Sequence, residues 1–283
     1  MLYKIENERF LVSVDSKGAE LAQFFDKYEG IEYIWQGDPH IWKGRSPILF
    51  PVVGRLRNDS YRIGDAIYAM PKHGFAKNSD FSVINQQKDS LCLLLTDSSE
   101  THKCYPFRFR LAVTFKLAGN RLEITHAVYN DGLEEMLFSI GAHPGLRCEI
   151  FDTLIFEKEE TSYAYQLDGI ALLMDEKRYV PFEGNRLIIT PHMFDHDALI
   201  FDDLHSRSVT LKSDRHPRRV RVDYFHAPCL GLWAKPGAPY VCIEPWYGID
   251  DHAHVTGELS GKPQIRSLAS GETFLFPVHI TVE

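Results

Sequence analysis

Strict two-residue alternation constrains this chain more than any other feature. In Phe107–Leu117 every odd position is apolar, while the even positions include Arg108, Arg110, Thr114 and Lys116. Successive side chains of a strand point to opposite faces, so this run predicts a half-buried strand with one wet side. Ala118-Gly119-Asn120 follows, and Leu122, Ile124 and Val128 then share one face of a second run. Together they read as a hairpin with a short glycine-containing turn. Tyr61–Tyr68 predicts another hairpin, turning at Gly64-Asp65. Further strands are expected over Phe10–Val14, Leu91–Thr96, Leu187–Thr190, Val209–Lys212, Val220–Tyr224 and Phe274–Val282. Sustained helical periodicity is hard to find, and turn residues recur at short spacing, as in a sandwich or barrel. No linker, low-complexity tract or internal repeat interrupts the pattern, so residues 1–283 are expected to form one all-β domain. Periodicity alone does not separate a jelly roll from a larger sandwich.

The formal net charge of -8 argues against a sequence-independent hold on nucleic acid or an anionic membrane, either of which needs a basic field. The basic run Arg215–Arg219 reads as a solvated turn between strands. Five cysteines, odd in number and in no C-x-x-C pattern, read as reduced thiols. The first ten residues carry acidic side chains and a strand-like pattern, unlike a signal peptide. No apolar run approaches the roughly 18 residues of a membrane helix. A cytoplasmic protein is expected.

Four segments break the alternation. Pro47–Arg55 is apolar between prolines and ends in Gly54-Arg55, where a guanidinium could fork onto ligand oxygens or form a surface ion pair. Lys72-His73-Gly74-Phe75-Ala76 sets an imidazole before a glycine that lets the backbone turn closely behind it. In Ser139–Leu146, small residues crowd His143 and Pro144 fixes the chain beyond it. A histidine can carry a proton near neutral pH and donate it to a substrate oxygen. In Tyr240–Gly248 a carboxylate, Glu244, ends an apolar strand just before Pro245 and Trp246. Such a buried carboxylate implies a partner or a raised pKa, which brings it towards the range of a general base. Trp246, with Trp42 and Trp233 as further candidates, offers a flat apolar surface for a sugar ring. The histidine pairs His192/His196 and His252/His254 lack a third ligand in the sequence, so no metal site is expected. Phosphate-loop, dinucleotide-binding and serine-hydrolase motifs are absent.

Taken in order and spacing, Leu49–Arg55, Lys72–Ala76, Ala142–Gly145 and Cys242–Gly248 resemble the aldose 1-epimerase family, and its LacX-like bacterial branch in particular. The resemblance implies a large antiparallel β-sandwich of the galactose mutarotase-like supersandwich type. It implies a cofactor-independent isomerase that exchanges the α and β anomers of a hexose. It also implies Glu244 as catalytic base and His143 as catalytic acid, with Arg55, His73 and Asp197 on sugar hydroxyls. Gly54-Arg55 stands where better-known mutarotases have Asn-Arg, and His73-Gly74-Phe75 where they have His-Gly-Gly, which bears on sugar choice.

The expected chemistry sets base and acid on opposite sides of one small ring. The partner is a small sugar, with no nucleic acid, membrane, metal or cofactor, in a monomer or a homodimer. Two alternatives remain at this level. One is a hexose-6-phosphate epimerase, which would need basic residues at the pocket mouth, with Arg45, Arg57 and Lys77 as candidates. The other is a non-catalytic sugar-binding protein on the same fold.

Overall fold

The computed structural model describes the backbone of residues 1–283 and every side chain but that of Ser162. Two large antiparallel sheets form its body. The nine-stranded sheet runs, edge to edge, through Arg186–Ile188, Thr153–Phe156, Ser208–Lys212, Arg219–Asp223, Thr273–Val282, Arg121–Asn130, Phe109–Ala118, Ser90–Thr96 and Ser82–Gln86. The eight-stranded sheet runs through Leu173–Val180, Ser162–Leu167, Leu199–Phe201, Cys229–Trp233, Tyr240–Tyr247, Ile140–Ala142 and Ile48–Leu49, and Gly145–Arg147 also pairs with Tyr240–Tyr247. A four-stranded N-terminal sheet and two small two-stranded sheets complete the β-structure. Helix is confined to one short α-turn, Ser99–His102, and three 3-10 turns. No helix among the described residues is long and apolar enough to cross a membrane.

The alternating segments fold as their pattern requires. Phe109–Ala118 pairs with Arg121–Asn130, with Ala118 opposite Arg121, so Gly119-Asn120 is the turn. Ile63 lies opposite Ala66 in the second hairpin, around Gly64-Asp65. The expected strand at Leu187–Thr190 instead spans Arg186–Ile188, with the Ile189 N–H still bonded to the Asp152 carbonyl just before the partner strand. The basic run near Arg215 is a bend whose Arg215 and Arg218 face Glu149.

Strand Tyr240–Tyr247 is buried at every position, which is why it carries no polar/apolar alternation in the sequence. Its two faces still differ. Val241, Ile243 and Tyr247 join the main core between the large sheets, where Tyr247 packs edge-on against Phe274 and Phe276 of the facing sheet. Glu244 and Trp246 project from the opposite face into a cavity. The neighbouring strands divide the same way. Leu199, Phe201, Leu230 and Leu232 belong to the main core, whereas Ala198, Ile200 and Cys229 form a second apolar cluster with Leu49 and Trp246. The eight-stranded sheet thus has the sandwich core behind it and the floor of a cavity in front.

Candidate active site

The cavity measures about 990 Å³, at the upper end of the roughly 300–1,000 Å³ of small-molecule sites. Its floor is set by strand register. Gly141 lies opposite Trp246 and Gly145 opposite Cys242, so His143, midway between them, falls opposite Glu244. On the other side of the same strand, Gly231 lies opposite Glu244. Gly141 and Gly231 leave room for the Trp246 indole, since a Cβ on either would come within 2.5–2.8 Å of its ring. The indole therefore spreads across both neighbouring strands.

His143 Nε2 is 3.1 Å from Glu244 Oε2. Both residues are buried, at 7% and 1% exposure. Burial acts on them in opposite senses. It pushes the His143 imidazolium down to about 3 and raises the Glu244 carboxyl well above its ordinary range, with the Lys72 ammonium opposing the rise in Glu244. The two groups accordingly favour a state with one proton between them, the carboxyl protonated and the imidazole neutral. The Trp246 side chain bonds to the same carboxyl and favours its charged form, against the larger effect of burial. Trp42 stacks on the His143 ring at 5.2 Å and Trp233 meets it edge-on at 5.8 Å, which holds the imidazole between two indoles.

His73 enters from a different direction. Its Nδ1 accepts from the Gly54 N–H at 3.1 Å, and the His73 backbone N–H donates to the Gly54 carbonyl at 2.9 Å. An accepting Nδ1 places the proton on Nε2, making that nitrogen a donor. Burial, with Lys72 and Lys77 nearby, pushes its pKa well below the usual value, so the ring stays neutral. Gly74 has φ +68°, and a Cβ there would lie 2.2 Å from the Phe50 carbonyl oxygen, which excludes any other residue behind His73.

Of the six residues singled out from the sequence, five line the cavity: His73, His143, Asp197, Glu244 and Trp246. Asp197 stands just before strand Leu199–Phe201, with its carboxylate accepting the Ala198 N–H. Arg55 is placed otherwise. Its guanidinium turns away, paired with Asp59 at 2.9 Å and donating to the Ile170 carbonyl, and it is not part of the cavity wall. What the Gly54-Arg55 motif contributes is backbone. The Arg55 N–H donates to Asp250 at 2.6 Å, while Gly54 holds His73. Asp250, 1% exposed and lining the cavity, was not apparent from the sequence, nor was Lys72. The available signals were an acidic pair just after the Glu-Pro-Trp-Tyr-Gly run and a lysine directly before His73.

Among the described residues, two groups of side chains have metal-ligand proximity. His143, Cys242 and Glu244 are one, all three buried, with the Cys242 thiol pushed well above its ordinary value by burial. Asp175, His252 and His254 are the other, with both imidazoles 3.4–3.6 Å from the Asp175 carboxylate. They supply the third ligand that the sequence withheld. The group lies off the cavity wall, however, and its spacing is equally that of two histidine–carboxylate ion pairs.

With this geometry in hand, comparison with known proteins is specific. The family model described as aldose 1-epimerase matches residues 1–281. Protein LacX (chromosomal) of Lactococcus lactis subsp. lactis is 30% identical, with 100% of this chain and 99% of the relative covered. A galactose mutarotase related enzyme from Lactobacillus acidophilus superposes with a TM-score of 0.95 at 34% identity, covering 100% of this chain and 97% of that one. A galactose mutarotase-like protein from Lactobacillus casei gives 0.94 at 28% identity, with both chains fully covered. The sandwich is thus of the galactose mutarotase-like type, and the chain belongs to the aldose 1-epimerase family.

Proposed function

We propose that this protein is an aldose 1-epimerase that interconverts the α and β anomers of a hexose, with Glu244 and His143 as its proton-transfer pair. The observation that carries the reading is the 3.1 Å approach of the two groups on the cavity floor. The anomeric oxygen O1 and the ring oxygen O5 are bonded to the same carbon, so a base for one and an acid for the other can stand side by side, a closer arrangement than groups on opposite sides of the ring.

In the forward step Glu244, as carboxylate, takes the proton of the O1 hydroxyl while His143, as imidazolium, protonates O5. The C1–O5 bond breaks, C1 becomes an aldehyde carbon, and the pair is left as carboxylic acid and neutral imidazole. That is the state burial favours, so the pair is poised to hold the open-chain sugar. Rotation about C1–C2 presents the other carbonyl face. Closure then returns the Glu244 proton to O1 and the O5 proton to His143. The starting ion pair differs from the resting pair only by one proton moved across 3.1 Å, with no uptake from solvent. His73 Nε2–H and Asp197 would hold hydroxyls beside C1, and Trp246 would take the apolar face of the ring.

A positioned proton-transfer group is worth about 10²–10⁴-fold. Anomer exchange by NMR from freshly dissolved α-glucose and α-galactose should therefore slow by at least about 100-fold in Glu244→Gln and in His143→Asn. Near-normal turnover in either folded variant would refute the assignment. Saturable sugar binding with no exchange in the parent protein would point to a binding protein instead.

A further inference from the structure

One motif left unused by the sugar chemistry is His252-Ala253-His254. It follows Asp250 and Asp251 on the loop after strand Tyr240–Tyr247. That loop is held on two sides. Asp250 accepts the Arg55 N–H at 2.6 Å, and Asp251 accepts the Arg57 N–H at 3.0 Å. On the other side the Asp251 carbonyl accepts the Leu173 N–H at 2.8 Å, where His252 bridges to the start of strand Leu173–Val180. Asp175, two residues along that strand, meets both imidazoles.

A single oxygen, Asp175 Oδ1, is 3.4 Å from His252 Nδ1 and 3.6 Å from His254 Nδ1. The three donor atoms all lie within 4.8 Å of one another. The two rings are stacked, 28° from parallel with centroids 5.2 Å apart, and turn the same nitrogen towards the same oxygen. A loose ion pair tolerates these separations, but a hydrogen bond closes to about 2.7–3.2 Å. His192 and His216 do close on their carboxylates, at 2.9 and 2.6 Å. His252 Nδ1 is buried and has no hydrogen-bond partner among the described residues, a state in which buried polar atoms are rarely left. Around a zinc ion with bonds of about 2.0–2.1 Å, tetrahedral ligand atoms stand about 3.3–3.4 Å apart. The nitrogen–oxygen spacing here lies closer to that edge than to a hydrogen bond.

We infer that Asp175, His252 and His254 bind a first-row divalent transition ion such as Zn²⁺, which clamps the loop at residues 250–254 to strand Leu173–Val180. Two imidazoles and one carboxylate are donors that such ions take, whereas Mg²⁺ and Ca²⁺ favour all-oxygen sets. Asp175 and His254 are exposed, so the ion has a path of entry and water can complete its coordination. The ligands come from segments far apart in sequence, so the ion cross-links them and steadies the loop whose Asp250 lines the sugar cavity. Its role is structural, because none of its three ligands lines that cavity, and it stands independently of the epimerase reading.

The test is calorimetric titration of chelator-stripped protein with Zn²⁺ near neutral pH, with Co²⁺ as a spectroscopic probe and thermal melts in parallel. We expect one Zn²⁺ per chain, visible ligand-field bands from bound Co²⁺, and a melting temperature that rises with Zn²⁺ but not with Mg²⁺. Protons compete for the imidazoles, so binding should weaken as pH falls through the histidine range. Losing a group that merely orients a ligand costs about 10–100-fold in metal affinity, so Asp175→Ala and His254→Ala should each weaken Zn²⁺ binding by at least about tenfold. Both side chains are exposed, so both variants should melt with the parent when chelator is present. A parent protein that binds no Zn²⁺ would overturn the inference. So would an affinity unmoved by both substitutions, which would mark an adventitious ion only. Zn²⁺ binding lost in Glu244→Gln but kept in Asp175→Ala would overturn it too, moving the ion to the His143, Cys242 and Glu244 group.

Discussion

At the scale of single residues, which atom of a motif matters is settled by where the backbone turns. Arg55 shows this most plainly. The Gly54-Arg55 motif was visible in the sequence, and a guanidinium was the obvious ligand group. In the fold the side chain is tied to Asp59 at the surface, and the amide nitrogen does the positioning by holding Asp250. A surface ion pair is worth about 0–1 kcal/mol, so Arg55→Gln should change exchange kcat/KM by less than about fivefold. Asp250 is buried against the cavity, and its carboxylate holds the Arg55 N–H next to Gly54, which bonds His73. Asp250→Ala should cost more than about tenfold, through KM as well as kcat, because the Arg55 N–H loses its acceptor. Steady-state kinetics on the two purified variants would decide it, and the reverse order of effects would return Arg55 to the sugar.

At the scale of elements, strand Tyr240–Tyr247 organises the site. Its register places Glu244 between His143 and Gly231, and Trp246 beside Gly141. The two glycines were unremarkable in the sequence, since their purpose is to be absent where an indole lies across them. Gly231→Ala would drive a Cβ to 2.8 Å from the Trp246 ring. Overpacking of this kind typically costs about 1–3 kcal/mol. The expected outcome is a lowered melting temperature together with a raised KM for the sugar, read by calorimetry and kinetics on one preparation. A variant with parent stability and parent KM would show that the indole does not form the sugar platform.

At the scale of the whole molecule, burial of neutral imidazoles ties stability to pH. His126, on strand Arg121–Asn130 opposite Phe276, is 2% exposed, within reach of the Phe276 carbonyl and stacked on its ring. Burial pushes its pKa from 6.5 down to about 4. Within that window the unfolded chain binds a proton and the folded chain does not, so stability falls as pH drops from about 6.5 towards 4. For His126 the full loss is about 3 kcal/mol. His143 acts in the same direction, whereas the raised carboxyl of Glu244 acts oppositely, losing stability as pH rises above its unfolded value. His126 lies away from the cavity and is the cleaner reporter. Urea unfolding at pH 7 and pH 5 should show the decline, and its slope with pH should be shallower by about one proton in His126→Gln. A slope unaffected by that substitution would contradict the assignment.

The sequence by itself determined the β-class and the outward-facing hairpins, because a strand with one wet face writes its geometry as alternation. It also marked His73, His143, Glu244 and Trp246, since unusual residues break the alternation there, whereas Asp197 came only through the resemblance to the family. Only the tertiary structure decided that these line one cavity and that His143 and Glu244 are adjacent in it. The reason is physical. A strand buried on both faces carries no polar rhythm, so its register and the direction of each side chain come from the strands beside it, which lie far away in sequence.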